Sequence, residues 1–266
     1  MVMSLSDTYG LRPAPATGDA LKVLWHDLEC GGYGADLPLW RELAEHSQIE
    51  HEQAPILDVG AGTGRVALAL ARAGHRVTAL DLDGALLCAL SRQAAGTTLE
   101  TLRADARTLA LERRDYALCI APMQTVQLLG GPPGRVAFLC RARAHLRPGG
   151  IVACAIVTAL EPFDTAAGDL GPSAESAHVN GHLYTSRATG VRVDAHTIEI
   201  ERERRILSPR RPAAALVSER DIVELDRVSQ AELESEGVAA GLTPMPARTV
   251  SPTDDHVGSL VVMLRA

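Results

Sequence analysis

The chain has 266 residues, 46% of them hydrophobic, with a formal net charge of −7 and aromatics at only 3%. Mean hydropathy is +0.04 and the pI is about 5.7, which describes a well-buried globule long enough for one large domain or a core with an insertion. Disorder is excluded by the hydrophobic content, and nucleic acid by the acidic balance and scarcity of stacking rings; no apolar run reaches a membrane span, and no secretory signal is recognisable, so the expected setting is cytoplasmic.

Taken in chain order, residues 1–20 hold Gly10, Pro13, Pro15 and Gly18 without an apolar period and read as a loose leader. A helical stretch from about Leu21 is broken by Gly31, Gly32 and Gly34 and resumes through Leu37, Leu39, Trp40 and Leu43. Strand–helix alternation follows: strands at Pro55–Val59, Arg76–Leu80, Thr98–Leu102, Tyr116–Ala121 and Ile151–Val157, with helices at Arg65–Arg72, Gly84–Gln93 and up to His145. The segment Leu146-Arg147-Pro148-Gly149-Gly150 reads as a turn. Short apolar strands separated by helices predict a parallel sheet covered on both faces.

After Val157 the pattern changes. His182–Arg187, Val191–Ala195 and Thr197–Arg205 alternate as strands, with Val217–Arg227 as a further candidate, and predict antiparallel hairpins inserted into the α/β core. Ser229 and Glu232 form a capping box that opens a helix closing at Gly241. Two strands, near Met245–Val250 and Ser259–Leu264, complete the sheet. The expected organisation is a leader and helical cap at 1–54, a Rossmann-like core at 55–160, an antiparallel β subdomain at 161–228, and a last helix and two strands at 229–266. Cys30, Cys88, Cys119, Cys140 and Cys154 are odd in number and lack any Cys-x-x-Cys pair, so buried reduced thiols are expected and no metal site.

The informative segment is Ile56–Gly64, ILDVGAGTG, at the junction of a strand and a helix. Gly60, Gly62 and Gly64 there let backbone approach a ligand at a helix start. The spacing is G-x-G-x-G rather than the G-x-G-x-x-G that suits a dinucleotide pyrophosphate. Asp58 ends the first strand, and Asp81 ends the second, where a carboxylate can accept both hydroxyls of an adenosine ribose. The bland alternative is a tight strand–helix turn with Asp81 capping the next helix.

The run ILDVGAGTGRVALALARAGHRVTALDLD resembles the nucleotide-binding half of the class I S-adenosylmethionine-dependent methyltransferases. The likeness continues through Arg103-Ala104-Asp105-Ala106, Asp115-Tyr116-Ala117-Leu118 and Leu146–Gly150, and the stretch His26–Leu43 looks like the first helix of small-molecule members. The resemblance implies a Rossmann-like, mostly parallel seven-stranded sheet and S-adenosyl-L-methionine as cofactor. It further implies Gly60, Ala61 and Gly62 along the methionine portion and Asp81 on the ribose. Leu82 would lie against the adenine, Asp105 and Ala106 at its edge, and Ala121 beneath the sulfonium. Asp58 would order the loop.

Methyl transfer asks the protein for alignment and exclusion of water, and for a base only if the acceptor arrives protonated. Ligands in open α/β sheets lie beyond the carboxyl ends of the strands. Four segments should reach that edge: Pro122-Met123-Gln124, Glu161–Asp164, the hairpins, and Thr253-Asp254-Asp255-His256. His256, with Asp254 or Asp255 beside it, is the first candidate base; Gln124 or Gln127 would bond substrate, and His178, His182 and Tyr184 would line the acceptor pocket. His26, His46, His51, His75 and His145 are expected at the surface. Tyr9, Trp25, Tyr33 and Trp40 are four of the eight aromatics, and their clustering predicts a cap hinged at Gly31, Gly32 and Gly34 that sets the Tyr33 ring near the sulfonium.

The expected function is therefore methyl transfer to a small molecule, with secondary-metabolite tailoring favoured by analogy. A protein that binds the cofactor without transferring a methyl group is the runner-up, and a nicotinamide dehydrogenase a third, disfavoured by the glycine spacing. The hairpins would shape the acceptor pocket, form a homodimer contact, or both.

Overall fold

The computed structural model describes residues 14–50, 54–208, 211–254 and 256–266. Tyr9, His51 and Asp255 lie outside the described residues. Two helices come first, α1 (Gly18–Cys30) and α2 (Leu37–Glu50). The core then runs β1 (Ile56–Val59), α3 (Arg65–Arg72), β2 (Val77–Asp81), α4 (Gly84–Gln93), β3 (Leu99–Arg103), β4 (Tyr116–Ala121), α5 (Gly131–His145) and β5 (Leu146–Ile156). Next come β6 (Phe163–Asp164), β7 (Glu175–Val179), β8 (His182–Val193), β9 (Thr197–Ser208) and β10 (Arg211–Asp226). The chain closes with α6 (Gln230–Ala239), β11 (Thr243–Val250) and β12 (Ser259–Arg265).

Seven strands form one sheet in the order β11-β12-β5-β4-β1-β2-β3. The central pairs are parallel, and β12 runs antiparallel to both β5 and β11. Alternate residues of each strand feed opposite layers. Ile56, Leu118 and Ile120 pack with Trp40, Leu70 and Leu90 on one face; Leu57, Val59 and Cys119 pack with Phe138, Leu139 and Leu233 on the other. Both faces being dry explains why these strands read as continuous apolar runs rather than alternating ones. The strand order reverses between β1 and β4, which opens a crevice at the carboxyl ends of these two strands.

The second sheet has the order β10-β9-β8-β6, with β7 also on β8, all antiparallel. The two strand segments expected at 182–187 and 191–195 are a single strand, β8, with a register shift between Ala188 and Gly190. The expected turn at Leu146–Gly150 is the start of β5, with Gly149 at φ 80° and a register shift against β4. Ser229 and Glu232 make the expected capping box.

Gln127 fastens the two sheets where the chain crosses between them. Its side-chain amide donates to the carbonyls of Val157 (3.2 Å) and Asp226 (2.9 Å), and its Oε1 accepts from the Val157 amide (2.8 Å). The Asp226 carboxylate in turn accepts from the Gly131 amide and from Arg135, which also pairs with Glu236. A buried polar side chain with each group satisfied favours one geometry at this joint. Gln127, a candidate substrate contact in the sequence, is thereby committed to structure.

Candidate active-site cleft

A cleft of about 440 Å³ lies beyond the β1 and β4 ends, within the usual size of small-molecule sites. Its floor is Asp58, Gly60, Ala61, Asp81 and Leu82. Ala104, Asp105, Ala106 and Arg107 close one end, and Met123, Gln124 and Thr125 stand beside the loop. The opposite wall comes from α1 (His26, Glu29, Cys30) and from the second sheet (Ile200, Arg202, Val223, Leu225).

The glycine loop is held by its own chain. The amides of Gly60 and Ala61 both donate to the Leu80 carbonyl, and the Gly62 amide donates to Asp81 Oδ2 at 2.8 Å. These three donors are therefore spent on the end of β2. The loop's contribution is close approach. Gly60 has φ 71°, and a Cβ there would sit 2.4 Å from Thr125 Cγ2; at Gly62, with φ 55°, it would sit 2.3 Å from the His26 ring. Any larger residue would push these neighbours into the space that the cleft keeps open.

Asp81 also accepts from the Asp83 amide through Oδ1 (2.9 Å). Each carboxylate oxygen keeps a further lone pair for another donor. The cap of α4 is Asp83, which accepts from the Ala85 and Leu86 amides, so Asp81 is not the helix cap. Asp58 is buried, and neither of its oxygens has a well-formed hydrogen bond among the described residues, the Ala67 amide being the donor near enough to lower its pKa. Burial pushes its carboxyl up to about 8. An unpartnered acid lining a cleft is rare enough to mark a ligand position.

Asp105 lines the cleft but is already bonded: it accepts from the Arg107 amide and, through both oxygens, from the Arg107 guanidinium. That hydrogen bonding holds its carboxyl below the ordinary range. Met123 takes φ 54°, a left-handed conformation unusual for a side-chain-bearing residue. Such strain concentrates at functional positions.

Of the residues expected to touch ligands, Gly60, Ala61, Asp81, Leu82, Asp105, Ala106 and Gln124 line the cleft. The others lie elsewhere. Gly62 sits beneath His26, and Ala121 is fully buried in the sheet core. Tyr33 is buried, with the Arg65 guanidinium 5.0 Å from its ring centroid and the His256 ring 5.0 Å away. His256 thus packs on Tyr33 outside the cleft, and its amide donates to Thr253 in a surface turn. His178 is exposed on β7. His182 is buried at the β7–β8 turn, with Nδ1 3.1 Å from the Asn180 carbonyl. Tyr184 is fully buried, edge-on to Trp25, and its hydroxyl accepts from the Ala16 amide.

Several contributors were not singled out by the sequence. His26, expected at the surface, lies over the glycine loop with Nδ1 3.2 Å from Thr63 Oγ1, and burial lowers its pKa. His145 is likewise buried: its Nε2 accepts from the Leu111 amide, so Nδ1 donates to the Arg141 carbonyl. Arg65 makes two bonds to the buried Asp36 (2.5 and 2.8 Å) and one to the Tyr33 carbonyl, fixing the α1–α2 link to the helix after the loop. Glu29 accepts from Arg204 twice and from Ser186, joining α1 to the second sheet. Burial works to raise the Glu29 pKa, but these hydrogen bonds outweigh it and hold the group lower. Cys119 and Cys154 are buried, whereas Cys88 and Cys140 are exposed, contrary to expectation; all five cysteines are free. No group of three metal-binding side chains occurs among the described residues, and none of their helices is long and apolar enough to cross a membrane.

Residues 56–150 match a family model described as a methyltransferase domain. The cypemycin N-terminal methyltransferase of a Streptomyces species is 30% identical over 138 residues, which cover 51% of this chain and 53% of that protein. The match thus spans about half the length of that relative. Among solved structures, an S-adenosylmethionine-bound amino pentose methyltransferase from Micromonospora echinaspora superposes with a TM-score of 0.65 at 18% identity, covering 96% of this chain and 100% of that one. A sugar N-methyltransferase from Streptoalloteichus gives 0.68 at 15% identity, covering 100% and 99%. Residues 56–150 thus match a methyltransferase domain, and the chain shares the fold of these solved methyltransferases over nearly its whole length.

Proposed function

We propose that the protein transfers a methyl group from S-adenosylmethionine to an amine of a small molecule. The observation that carries this reading is the unpartnered, buried Asp58 carboxyl beside Asp81 on the cleft floor. An α-ammonium group answers the first and ribose hydroxyls the second. Leu82, which is 60% exposed, and Ala106 offer the apolar surface an adenine needs, and Gly60 and Ala61 allow close approach of the chain between. Asp105, with Arg107, closes the adenine end. When bound, the cofactor supplies an electron-poor methyl group on sulfur for in-line displacement. The contribution of the chain is to orient the partners and keep water out, with Met123, Gln124 and the β9–β10 wall facing the acceptor.

The choice of nitrogen rests on the acceptor side being short of bases once Asp58 and Asp81 are given to the cofactor. Glu29 is held ionised by Arg204, Gln124 cannot take a proton, and His26 presses its Nε2 edge against Gly62. An alcohol would need a base to shed its proton, whereas an amine reaches its reactive form by losing a proton to water. The names of the relatives, an N-terminal and a sugar N-methyltransferase, point the same way. The five free cysteines suit a reducing, cytoplasmic setting.

Methyl-release assays on matched amine and alcohol panels test the reading. Turnover is expected on amines alone, rising with pH through the pKa of the acceptor ammonium. Tight binding of S-adenosylhomocysteine without turnover on any amine would leave the non-catalytic alternative; tighter binding of NAD would revive the dehydrogenase.

A further inference from the structure

The cleft-facing side of β9 reads Ile198, Ile200, Arg202, Arg204 and Ile206, an apolar stripe interrupted by two arginines. They differ in how they are satisfied. Arg204 is bonded to both Glu29 oxygens at 2.7 Å, lies 3.0 Å from Asp221, and stands over the Trp25 ring. Among the described residues Arg202 makes one bond, from Nη1 to Glu175 Oε2 at 3.1 Å. A guanidinium carries five N–H donors in a planar fork that matches a carboxylate, so Arg202 has donors to spare, and it lines the cleft beside Ile200, Val223 and Leu225. The residues paired with it are Ala188 on β8 and Asp221 on β10, and the Asp221 carboxylate lies 3.0 Å from Arg204.

The partner of Arg202 is weakly held. The Glu175 side chain is 38% exposed, and it sits on the short strand β7, which among the described residues pairs only with β8. A part-buried ion pair held by a single bond to a half-exposed carboxylate is readily exchanged for a better-shaped carboxylate. By contrast, Arg65, Arg107 and Arg204 each make two or more bonds to one carboxylate.

We infer that Arg202 is a specificity-determining residue of the acceptor side, binding a carboxylate on the acceptor, with Glu175 occupying its fork when no such group is present. This inference rests on the methyltransferase reading of the cleft and names the acceptor class: a molecule with an apolar body against Ile200, Val223 and Leu225 and an anionic end at Arg202.

The test uses the whole 266-residue chain saturated with S-adenosylhomocysteine, titrated with benzoate and with benzamide, in wild type, Arg202→Gln and Glu175→Gln. Benzoate is expected to bind about tenfold more tightly than benzamide, in keeping with a charge-assisted pair. Arg202→Gln should erase that preference, and Glu175→Gln, by removing the competing carboxylate, should strengthen benzoate binding several-fold. Opposite shifts from the two halves of one ion pair distinguish ligand recognition from a structural role, which would move both the same way. No preference for benzoate in wild type, or shifts of the same sign, overturns the inference. Loss of S-adenosylhomocysteine binding in the wild-type protein would instead overturn the reading beneath it, and is measured first.

Discussion

Replacing Asp81 with alanine is expected to weaken binding of S-adenosylhomocysteine by about 100-fold or more, roughly 2.7 kcal/mol, with the protein still folded. Two losses combine. The carboxylate now fixes the Gly62 and Asp83 amides at 2.8 and 2.9 Å, and alanine leaves both without an acceptor, at about 1–3 kcal/mol for each that is not rehydrated. The ribose then also loses its charged acceptor, and bonds to charged groups contribute about 1.5–3 kcal/mol. Asp81→Asn keeps one acceptor oxygen and should fall between. Calorimetric titration, with thermal melts as a check on folding, measures all three proteins. An affinity for Asp81→Ala within threefold of wild type would remove Asp81 from the site.

Asp58 carries the second large effect, and its sign follows from linkage. Its folded pKa of about 8 lies above the ordinary carboxyl value, so the native state holds a proton that the unfolded state releases. The stabilisation is complete below about pH 4 and is lost as the pH rises toward 8, at up to about 1.4 kcal/mol per pH unit. Asp58→Asn removes this dependence. The difference in unfolding free energy between wild type and Asp58→Asn should therefore shift steadily against wild type from pH 5 to pH 8, by on the order of several kcal/mol. Denaturant titrations at three pH values measure it; parallel profiles would mean that Asp58 is not protonated in the fold. A ligand ammonium at this carboxyl would favour its charged form, so binding of S-adenosylhomocysteine at pH 7 should release close to one proton, read from calorimetry in buffers of different ionisation heat.

Asp81 was legible because its signal is local, whereas Asp58, which the sequence reads as ordering the loop, lines the cleft without a hydrogen bond among the described residues. A strand, three glycines and an acid at the end of the next strand all fall within Ile56–Asp81, and the register β1–β2 brings them together. The acceptor side was not, because its geometry depends on strand parity and on partners far along the chain. Tyr184 looked like a pocket residue, but α1 covers that part of the second sheet with Trp25. The wall of the cleft comes from Ile200, Arg202, Val223 and Leu225, which no spacing rule links to the glycine loop. Gln127 shows the same limit: its partners lie 30 and 99 residues away. So does the Arg65–Asp36 pair, 29 residues apart, which buries both charges where the sequence offers only two polar letters. One local signal went unused. Asn180-Gly181, at φ 51° and 74°, joins β7 to β8 through a two-residue turn of the kind this dipeptide favours.

A crystal structure of the protein with S-adenosylhomocysteine tests the central claim most directly. The account predicts ribose hydroxyls on the Asp81 carboxylate, the α-ammonium at Asp58, and the sulfur turned toward Met123 and the β9–β10 wall. A ligand bound elsewhere, with Asp58 still unpartnered and Asp81 bonded only to Gly62 and Asp83, would contradict it.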